Sequence, residues 1–497
     1  MKVCLINPPL SFVKSVGPPF VFHPTGLAYV AASLEKEHEV IFLDACAEGI
    51  RNTDKLDDRY YLGLKFDQIA DYIRDIKPDV VGISVAFYAN VFAGLKTAAT
   101  VKAVDKNIIT ILGGPHPSIK PLETLAHPEV DYVVINEGEL TALDLLRKIE
   151  QGKLDELHTV RGIGFKVNGQ PVLTPPREFN AELDSLPFPA RHLLPMELYH
   201  QATKFGLKSR EVYNTAVGKK DASGNVRAVS MITSRGCPFT CNFCSIHLTM
   251  GHEFRKRSAE NVVAEIEELV AKHNITHIDF EDDNLTFDKK RAARIFDLII
   301  EKGLNISWST PNGIRADVVD ENLVIKMKKS GCVRVFVAPE SGVPDVVKNI
   351  INKNMNLEKV TQAVRLFAKH GIIVDASFVL GSVGANGRCE TKWEMLKTII
   401  YAKKLKILGA SGAGFNIAIP LFGTKLRQYA EEGNFQKLAP DGAEGNQGRF
   451  IIETPQFTYK ELKVMAHFGD WVVNYTFRQK VQYFFRDLFK MLKFVGG

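Results

Sequence analysis

Three cysteines lie close together near the middle of the chain, in the run Arg235-Gly-Cys237-Pro-Phe-Thr-Cys241-Asn-Phe-Cys244. The run directly follows a predicted strand, so three thiolates can converge on one loop. Four thiolates would complete a structural zinc site, whereas three leave a coordination position vacant on a 4Fe-4S cluster. A zinc site completed by His247 is the alternative that this spacing leaves open. The cysteines therefore predict a metal centre, and chemistry at that centre requires the vacant position.

The residues around the cysteines predict a series of alternating strands and helices. After the cysteines, Ser258 is placed to cap a helix whose apolar positions follow a helical period. Six strand-helix units of this kind predict a full or partial parallel barrel, with its chemistry at the carboxyl ends of the strands. The predicted strands are 230–233, 277–280, 306–310, 333–338, 373–380 and 414–419.

The first 150 residues contain a separate series of strands and amphipathic segments, which predicts a doubly wound parallel sheet. The predicted strands are 3–6, 39–43, 80–84, 108–112 and 132–135. In such a sheet the ligand lies at the carboxyl ends of the strands. Small and polar residues follow those ends, and they form the candidate binding edge: Asn7, Ser84, Gly113, Gly114, Glu137 and Gly138.

The pattern divides the chain into four predicted regions: the doubly wound domain 1–150, a proline-interrupted linker 151–226, the barrel 227–425 and a helical region 426–497. Within the last region, the segment from Tyr475 to Phe494 places apolar residues on one side of a helix and cations mainly off it. Such a helix could dock on the barrel or rest on an anionic membrane surface.

The composition is that of a folded globular protein, with 45% hydrophobic and 24% charged residues. A formal charge of +6, interspersed along the chain, gives little support for nucleic-acid binding. The first residues predict a strand and not a signal peptide, and no stretch is apolar enough to span a bilayer. Seven cysteines without an export signal predict reduced thiols and a cytoplasmic protein.

The Cys-x3-Cys-x2-Cys spacing, with Phe243 before the last cysteine, resembles the signature of radical S-adenosylmethionine enzymes. The resemblance continues at the ends of the second, fourth and fifth barrel strands. It implies that Cys237, Cys241 and Cys244 bind a 4Fe-4S cluster. It also implies that Asp282 or Asp283 binds the methionyl amino group of S-adenosylmethionine, that Glu340 and Ser341 bind its ribose, and that Phe243 and Gly381 lie at the cofactor. The loop from Gly381 to Thr391 is longer than the family's Gly-x-Pro-Gly-Glu-Thr, which puts the adenine contacts in doubt.

The amino-terminal half resembles the cobalamin-binding domain that precedes the barrel in one subfamily of these enzymes, in the runs Leu112-Gly-Gly-Pro-His116 and Asp131-Tyr-Val-Val-Ile-Asn-Glu137-Gly138. The classical Asp-x-His motif, which supplies a histidine to cobalt, reads Asp44-Ala-Cys46 here. The resemblance thus implies cobalamin whose lower face has no histidine. Cys46 could approach it or could be a small packed residue, and His116 could contact the cofactor or be a solvated turn residue.

The resemblance implies cleavage of S-adenosylmethionine and attack on an unactivated carbon, with C-methylation as the first hypothesis. A cyclase or oxidoreductase without methyl transfer is the alternative within the family. A non-catalytic cluster or cobalamin sensor is an alternative of another class, and an empty front domain acting as a lid is a further one. The expected partners are a small-molecule substrate and an electron donor such as ferredoxin or flavodoxin. The carboxy-terminal segment favours a lipid, isoprenoid or tetrapyrrole substrate and peripheral membrane contact.

Overall fold

The computed structural model describes residues 1–13, 21–56, 59–86, 90–201, 217–439, 450–476 and Gln479. These residues form two compact units. The first unit comprises the described residues of 1–238 and 245–279 together with Ala439, and the second comprises those of 239–244, 280–438 and 450 onwards. The four regions predicted from the sequence divide the chain at other points, and their bounds stay predictions.

The first unit contains most of the strands. They are β1 (Lys2–Asn7), β2 (Leu10–Phe12), β3 (Glu39–Asp44), β4 (Thr53–Leu56), β5 (Arg59–Leu62), β6 (Val80–Ser84), β7 (Ile109–Gly113), β8 (Tyr132–Val134), β9 (Ile163–Val167), β10 (Gln170–Leu173), β11 (Ala228–Met231), β12 (Ser234–Arg235), β13 (Arg255–Lys256) and β14 (His277–Phe280), the last residue of which falls in the second unit.

Helices of the first unit follow most of these strands. They are α1 (Thr25–Leu34), α2 (Ala45–Glu48), α3 (Phe66–Ile76), α4 (Asn90–Val104), α5 (Pro115–Ile119), α6 (Pro121–Leu125), α7 (Gly138–Glu150), α8 (Met196–Gln201), α9 (His247–Met250) and α10 (Ala259–His273), with single 3-10 turns at Leu154–Thr159, Leu183–Ser185 and Arg191–Leu193. Ser258 caps α10 as predicted, because its side chain accepts a hydrogen bond from the amide of Asn261.

The main sheet of the first unit has the order β10-β9-β8-β7-β6-β1-β3. The five strands from β8 to β3 run parallel, which confirms the predicted doubly wound sheet. Its buried core includes Cys4, Ile6, Val81 and Ile83, from the two strands at the centre of the parallel part. The chain leaves β1 towards one edge for β3 and returns to the other side for β6. Asn7 and Ser84 therefore end the two strands at the topological switch point, where ligands bind in open α/β sheets.

Three groups of strands in this unit were not predicted. One is the short antiparallel pair of β12 and β13. Strands β9 and β10 form an antiparallel hairpin that adds to the parallel sheet beside β8, although their residues lie in the predicted linker 151–226. A separate three-stranded sheet has the order β2-β5-β4 and is antiparallel. The predicted linker therefore contributes two strands to the first unit.

The second unit contains the four parallel strands β15 (Ser307–Ile314), β16 (Cys332–Glu340), β17 (Ile373–Leu380) and β18 (Gly412–Ile417), each paired with the next. The short pair β19 (Gln436–Leu438) and β20 (Phe450–Ile452) is antiparallel. The helices are α11 (Lys289–Glu301), α12 (Glu321–Lys329), α13 (Leu357–Lys369), α14 (Lys392–Ile407), α15 (Lys425–Glu432) and α16 (Tyr459–Asn474), with a π-helix at Val346–Ile350 and 3-10 turns at Ala316–Val318 and Ala385–Gly387.

This alternation of parallel strands and helices confirms the α/β fold predicted for the barrel region. The carboxy-terminal helical region is described as far as α15 and α16, and the amphipathic segment from Tyr475 to Phe494 lies almost wholly outside the described residues. Among the residues that are described, no helix has both the length and the apolar character needed to cross a bilayer.

Candidate active site

The three cysteines of the motif differ from the other four cysteines in their exposure. Cys237, Cys241 and Cys244 are partly exposed, whereas the remaining cysteines are buried, namely Cys4, Cys46, Cys332 and Cys389. Within the described ranges, no three His, Cys, Asp or Glu side chains lie close enough to hold a single metal ion. In a 4Fe-4S cluster each cysteine binds a different iron atom. Three partly exposed thiols on one short loop suit such a cluster.

Asn242 anchors the second half of the cysteine loop within the second unit. Its side-chain amide donates to the carbonyl of Ile350 at 2.6 Å, and its backbone amide donates to the carbonyl of Ile351 at 2.8 Å. Its own carbonyl accepts from the amide of Leu426 at 2.8 Å. Phe243 packs against the small apolar cluster of the neighbouring π-helix. The residues between Cys241 and Cys244 are therefore held by hydrogen bonds and apolar packing.

Glu340 ends β16 in an unusual conformation. It is a buried residue in the left-handed region with a φ of 66°, which is uncommon for a residue with a side chain. Its carboxylate accepts a hydrogen bond of 2.7 Å from the ammonium of Lys353, which also donates to the carbonyl of Ala338 at 2.7 Å. Burial opposes the charged ammonium, but Glu340 and then Cys241 raise the pKa of Lys353. A permanent positive charge thus accompanies Glu340.

Ser341 follows Glu340 and is fully buried. Its hydroxyl oxygen lies 2.9 Å from the hydroxyl of Thr398 and accepts a hydrogen bond of 3.2 Å from the amide of Val343. This hydroxyl therefore has partners inside the protein in addition to any ligand.

Gly381 directly follows β17, and its backbone conformation favours glycine. Its φ of 83° is left-handed, and an added Cβ would meet the side chain of Leu462 at 2.6 Å. Its amide donates to the buried carboxyl of Glu390 at 2.8 Å, which is the far end of the lengthened loop. Burial raises the pKa of Glu390 to about 8. Cys389, beside it, is buried and its thiol donates to the carbonyl of Gly387 at 3.3 Å.

Two adjacent carboxyl groups follow β14. Asp282 is buried, and Asp283 is half-buried beside it. Burial first, and then the charges of Asp282 and Glu281, raise the pKa of Asp283 to about 7. At neutral pH this pair can therefore hold a proton or accept hydrogen bonds from a cationic group.

Asp44 occupies the position at which the classical histidine motif begins, and it is fully buried. The hydroxyl of Tyr199 donates to one of its oxygens, while Asn7 and the amide of Ala47 donate to the other at 2.9 Å each. Burial raises the pKa of Asp44 in spite of these bonds. Cys46 is also buried, and burial followed by Asp44 raises the pKa of its thiol. Cys46 is therefore a packed residue.

The neighbouring carboxyl ends of β6 and β7 form a close backbone contact. Ser84 pairs with Gly113, and the amide of Val85 donates to the carbonyl of Gly113 at 2.8 Å. Gly114 has a φ of 105°, and an added Cβ would meet the carbonyl oxygen of Val85 at 2.8 Å. Nearby His116 is buried, and its burial lowers its pKa, so the imidazole is neutral. His116 is therefore not a solvated turn residue.

Glu137 and Gly138 lie at the start of α7. Gly138 has little spare room, since an added Cβ would meet the side chain of Val30 at 3.1 Å. Burial acts against ionisation of Glu137, but Arg235 and Arg255 lower its pKa. Sequence reasoning missed these arginines, as well as Lys353 and Tyr199, because the partners are distant in the chain and no local pattern connects them.

Two family models match the chain. The model of the B12 binding domain matches residues 17–146, and the model of the radical SAM superfamily matches residues 231–399. The two matched ranges contain four of the five parallel strands of the first unit's main sheet, the three cysteines and three of the four parallel strands of the second unit.

Two relatives match most of the chain. An uncharacterized methyltransferase of Pyrococcus horikoshii is 34% identical over 87% of this chain and 84% of its own length. The cytidylyl-2-hydroxyethylphosphonate methyltransferase of Streptomyces wedmorensis is 33% identical over 87% of this chain and 82% of its own length. The anaerobic magnesium-protoporphyrin IX monomethyl ester cyclase of Rubrivivax gelatinosus is more distant, at 28% identity over 72% of this chain and 59% of its own length.

Among solved structures, the fold is similar to that of the radical S-adenosylmethionine methyltransferase TsrM of Kitasatospora setae. The TM-score is 0.65 at 18% identity, over 88% of this chain and 77% of that one.

The chain belongs to the radical S-adenosylmethionine superfamily, in the group whose members carry an amino-terminal B12 binding domain. It is therefore an enzyme, and its cofactors are a 4Fe-4S cluster, S-adenosylmethionine and cobalamin. Because the chain belongs to this superfamily, the three cysteines are assigned to a 4Fe-4S cluster and not to a zinc site completed by His247. For the same reason the protein is an enzyme and not a sensor. The domain at residues 17–146 matches the B12 binding model although the Asp44 motif lacks a histidine.

Proposed function

We propose that the protein methylates an unactivated carbon of a small molecule. One observation carries this proposal: two relatives above 30% identity are named methyltransferases and align over more than four fifths of their own length. When bound, the cluster with S-adenosylmethionine supplies hydrogen abstraction from carbon, and cobalamin supplies a transferable methyl group. The residues of this chain bind, orient and shield these groups.

Cys237, Cys241 and Cys244 are proposed to bind the cluster, because their donor chemistry suits iron and their thiols are partly exposed. Asp282 and Asp283 are proposed to accept hydrogen bonds from the methionyl ammonium. The raised pKa of Asp283 supports this role, since a cation would stabilise its ionised form.

Glu340, Ser341, Gly381 and Phe243 complete the proposed site for S-adenosylmethionine. Lys353 donates to one carboxylate oxygen of Glu340, and the other oxygen is proposed to accept from ribose hydroxyls. Ser341 keeps the turn after β16 in place through its bonds to Thr398 and Val343, and its contact with ribose is the less direct of the two.

Cobalamin is proposed to bind at the carboxyl edge of the first sheet, where Asn7, Ser84, Gly113 and Gly114 lie at or beside the switch point. Asn7 also donates to Asp44, so it joins this edge to the buried Asp44–Tyr199 pair. We propose that the Asp44 motif would supply no side chain to cobalamin, because Cys46 is buried and burial raises the pKa of its thiol.

The substrate class is proposed only as a small molecule. The named relatives act on compounds as different as a cytidylyl phosphonate and a magnesium porphyrin ester. The expectation of a lipid, isoprenoid or tetrapyrrole substrate and of membrane contact depends on the segment from Tyr475 to Phe494, which lies almost wholly outside the described residues. An electron donor such as ferredoxin or flavodoxin, a cytoplasmic location and the absence of nucleic acid remain predictions.

The cyclase is the second candidate, and it is favoured by the similarity to a magnesium-protoporphyrin cyclase. The test is to incubate anaerobic, reconstituted protein with cob(I)alamin and S-adenosylmethionine that carries a trideuterated methyl group. Methyl transfer predicts deuterated methylcobalamin and S-adenosylhomocysteine in equal amounts. Formation of 5′-deoxyadenosine without either product would favour the cyclase.

A further inference from the structure

Two buried arginines lie opposite each other in the strand pair whose first strand precedes Cys237 in the first unit. Arg235 lies in β12, two residues before Cys237, and Arg255 stands opposite it in the antiparallel strand β13. Their side chains are 7% and 2% exposed. Gly236 has a φ of 82°, and an added Cβ would meet a backbone carbonyl at 2.1 Å, while the amide of Cys237 donates to the carbonyl of Gly251 at 3.3 Å. The backbone at Cys237 is thus tightly enclosed.

Both arginines bind carboxylates at the start of α7. Arg235 donates to Glu137 at 3.0 Å and to Glu139 at 2.5 Å, and Arg255 donates to Glu137 at 2.7 Å. The second oxygen of Glu137 accepts from the amide of Asn180 at 2.9 Å. The carboxylates are 10% and 6% exposed, so two cations and two anions share one buried network without net charge.

This network connects positions far apart in the chain, since 98 residues separate Glu137 from Arg235. Removing one partner from a buried ion pair leaves the other charge unpaired in a medium that solvates it poorly. Arg255 also donates to the carbonyls of Asn180 and Met250 at 2.9 Å each. These bonds hold β13 to two further segments of the first unit. The direction in which the chain enters Cys237 therefore depends on Glu137 and Glu139.

We propose that Glu137 and Glu139 are positioning residues for Cys237, acting through Arg235 and Arg255. The proposal rests on cluster binding by Cys237, which is part of the proposed function. It also changes the role of Glu137: the carboxylate is occupied by two guanidinium groups and an amide, so it orients the cluster loop and does not contact cobalamin.

The test compares Glu139→Gln with Glu150→Gln in the full chain, after anaerobic reconstitution of the cluster. Both carboxylates lie on α7, but that of Glu150 is 49% exposed and pairs with the chain's amino terminus. The readouts are the rate of iron release to a chelator and the electron paramagnetic resonance spectrum of the reduced cluster. Glu139→Gln should release iron about tenfold faster, the low end of the effect of changes around metal ligands, and should shift the spectrum. Glu150→Gln should match the wild type.

A second arm measures hydroxocobalamin binding to Glu137→Gln by absorbance. We expect Glu137→Gln to bind cobalamin with the same dissociation constant as the wild type but to release iron faster. A weakened affinity for cobalamin with an unchanged iron release rate would overturn it and return Glu137 to the cofactor site. Should Glu139→Gln fail to fold, Glu139→Asp and Arg235→Lys keep the charges and shorten or reshape the contacts. These variants should then show the spectral shift.

Unchanged iron release and spectrum in folded Glu139→Gln would overturn the proposal. That result is distinguishable from failure of the proposed function, in which the wild-type protein itself would bind no cluster.

Discussion

Lys353 donates a 2.7 Å hydrogen bond from its buried ammonium to the carboxylate of Glu340. The pair lies at the end of β16, and Cys241 is among the groups that raise the pKa of this ammonium. A carboxylate proposed to bind ribose and a cysteine proposed to bind iron thus share one cation. Buried pairs of this kind contribute little when intact but are costly to break.

Replacement of Lys353 by methionine should destabilise the protein, because it leaves the buried carboxylate of Glu340 without a counterion. We expect a loss of about 3 kcal/mol in the free energy of unfolding, measured by denaturant titration of the cluster-free protein. Lys369→Met is the matched control, since Lys369 pairs with Glu321 on the exposed surface and its loss should change stability little. Equal effects of the two substitutions would contradict this interpretation of the Lys353–Glu340 pair.

Affinity for S-adenosylmethionine should increase as the pH rises towards neutrality. Asp283 has a pKa of about 7 in the folded protein and 3.8 as an isolated group, and only its ionised form attracts an ammonium. Between about pH 6 and pH 7 the ionised fraction rises about fivefold, below the range in which an α-amino group loses its proton. Anaerobic calorimetric titrations should show this increase in the wild type and a flat profile in Asp283→Asn. A pH-independent affinity in the wild type would argue that Asp283 does not face the cofactor.

The same carboxyl group predicts the opposite trend for stability. The folded protein retains a proton on Asp283 that the unfolded chain releases above 3.8, so the folded state binds more protons between the two values. The contribution of Asp283 to stability is therefore full below pH 3.8 and is lost as the pH rises through about 7. Denaturant titrations at several pH values should show the wild type losing unfolding free energy relative to Asp283→Asn between pH 3.8 and about 7.

Asn242→Ala should weaken retention of the cluster. The substitution removes the 2.6 Å bond to the carbonyl of Ile350, which fixes the residues between Cys241 and Cys244. Iron release to a chelator should accelerate about tenfold, the usual size of such effects. Asn349→Ala is the control, because Asn349 bonds only to the exposed Asp345 within the described contacts. A release rate equal to that of the control would assign Asn242 no part in cluster binding.

Tyr199→Phe should destabilise the first unit. The hydroxyl of Tyr199 donates to the buried carboxylate of Asp44, and its removal leaves that oxygen with one partner fewer. We expect a cost of about 1–3 kcal/mol in the free energy of unfolding, measured by denaturant titration. If the stability of Tyr199→Phe equals that of the wild type, the Asp44–Tyr199 contact is not a stabilising one.

Much of the fold could be predicted because buried parallel strands form short apolar runs. The predicted strands 80–84, 277–280 and 373–380 coincide with β6, β14 and β17. The hairpin of β9 and β10 was missed inside the predicted linker, although its turn residues Asn168 and Gly169 have positive φ values and form a typical hairpin signal. Most residues of β9 and β10 are at least partly exposed, so their sequences lack the regular alternation of apolar and polar residues that predicts a strand.

The candidate site was predictable only where its residues are adjacent in the chain. The spacing of Cys237, Cys241 and Cys244 needs no structure to be recognised. The partners of Glu137 and Glu340 could not be found from the sequence, because Arg235 and Lys353 look like ordinary surface cations until the fold buries them.

The central claim is that the three cysteines hold a cluster that cleaves S-adenosylmethionine. The most direct measurement is the yield of 5′-deoxyadenosine from anaerobic, reconstituted protein supplied with S-adenosylmethionine, a chemical reductant and methylcobalamin. We compare the wild type, Cys241→Ala and Cys332→Ala, where Cys332 is a buried thiol of β16 outside the motif. The account predicts 5′-deoxyadenosine from the wild type and Cys332→Ala and none from Cys241→Ala. Equal yields from Cys241→Ala and the wild type would contradict it.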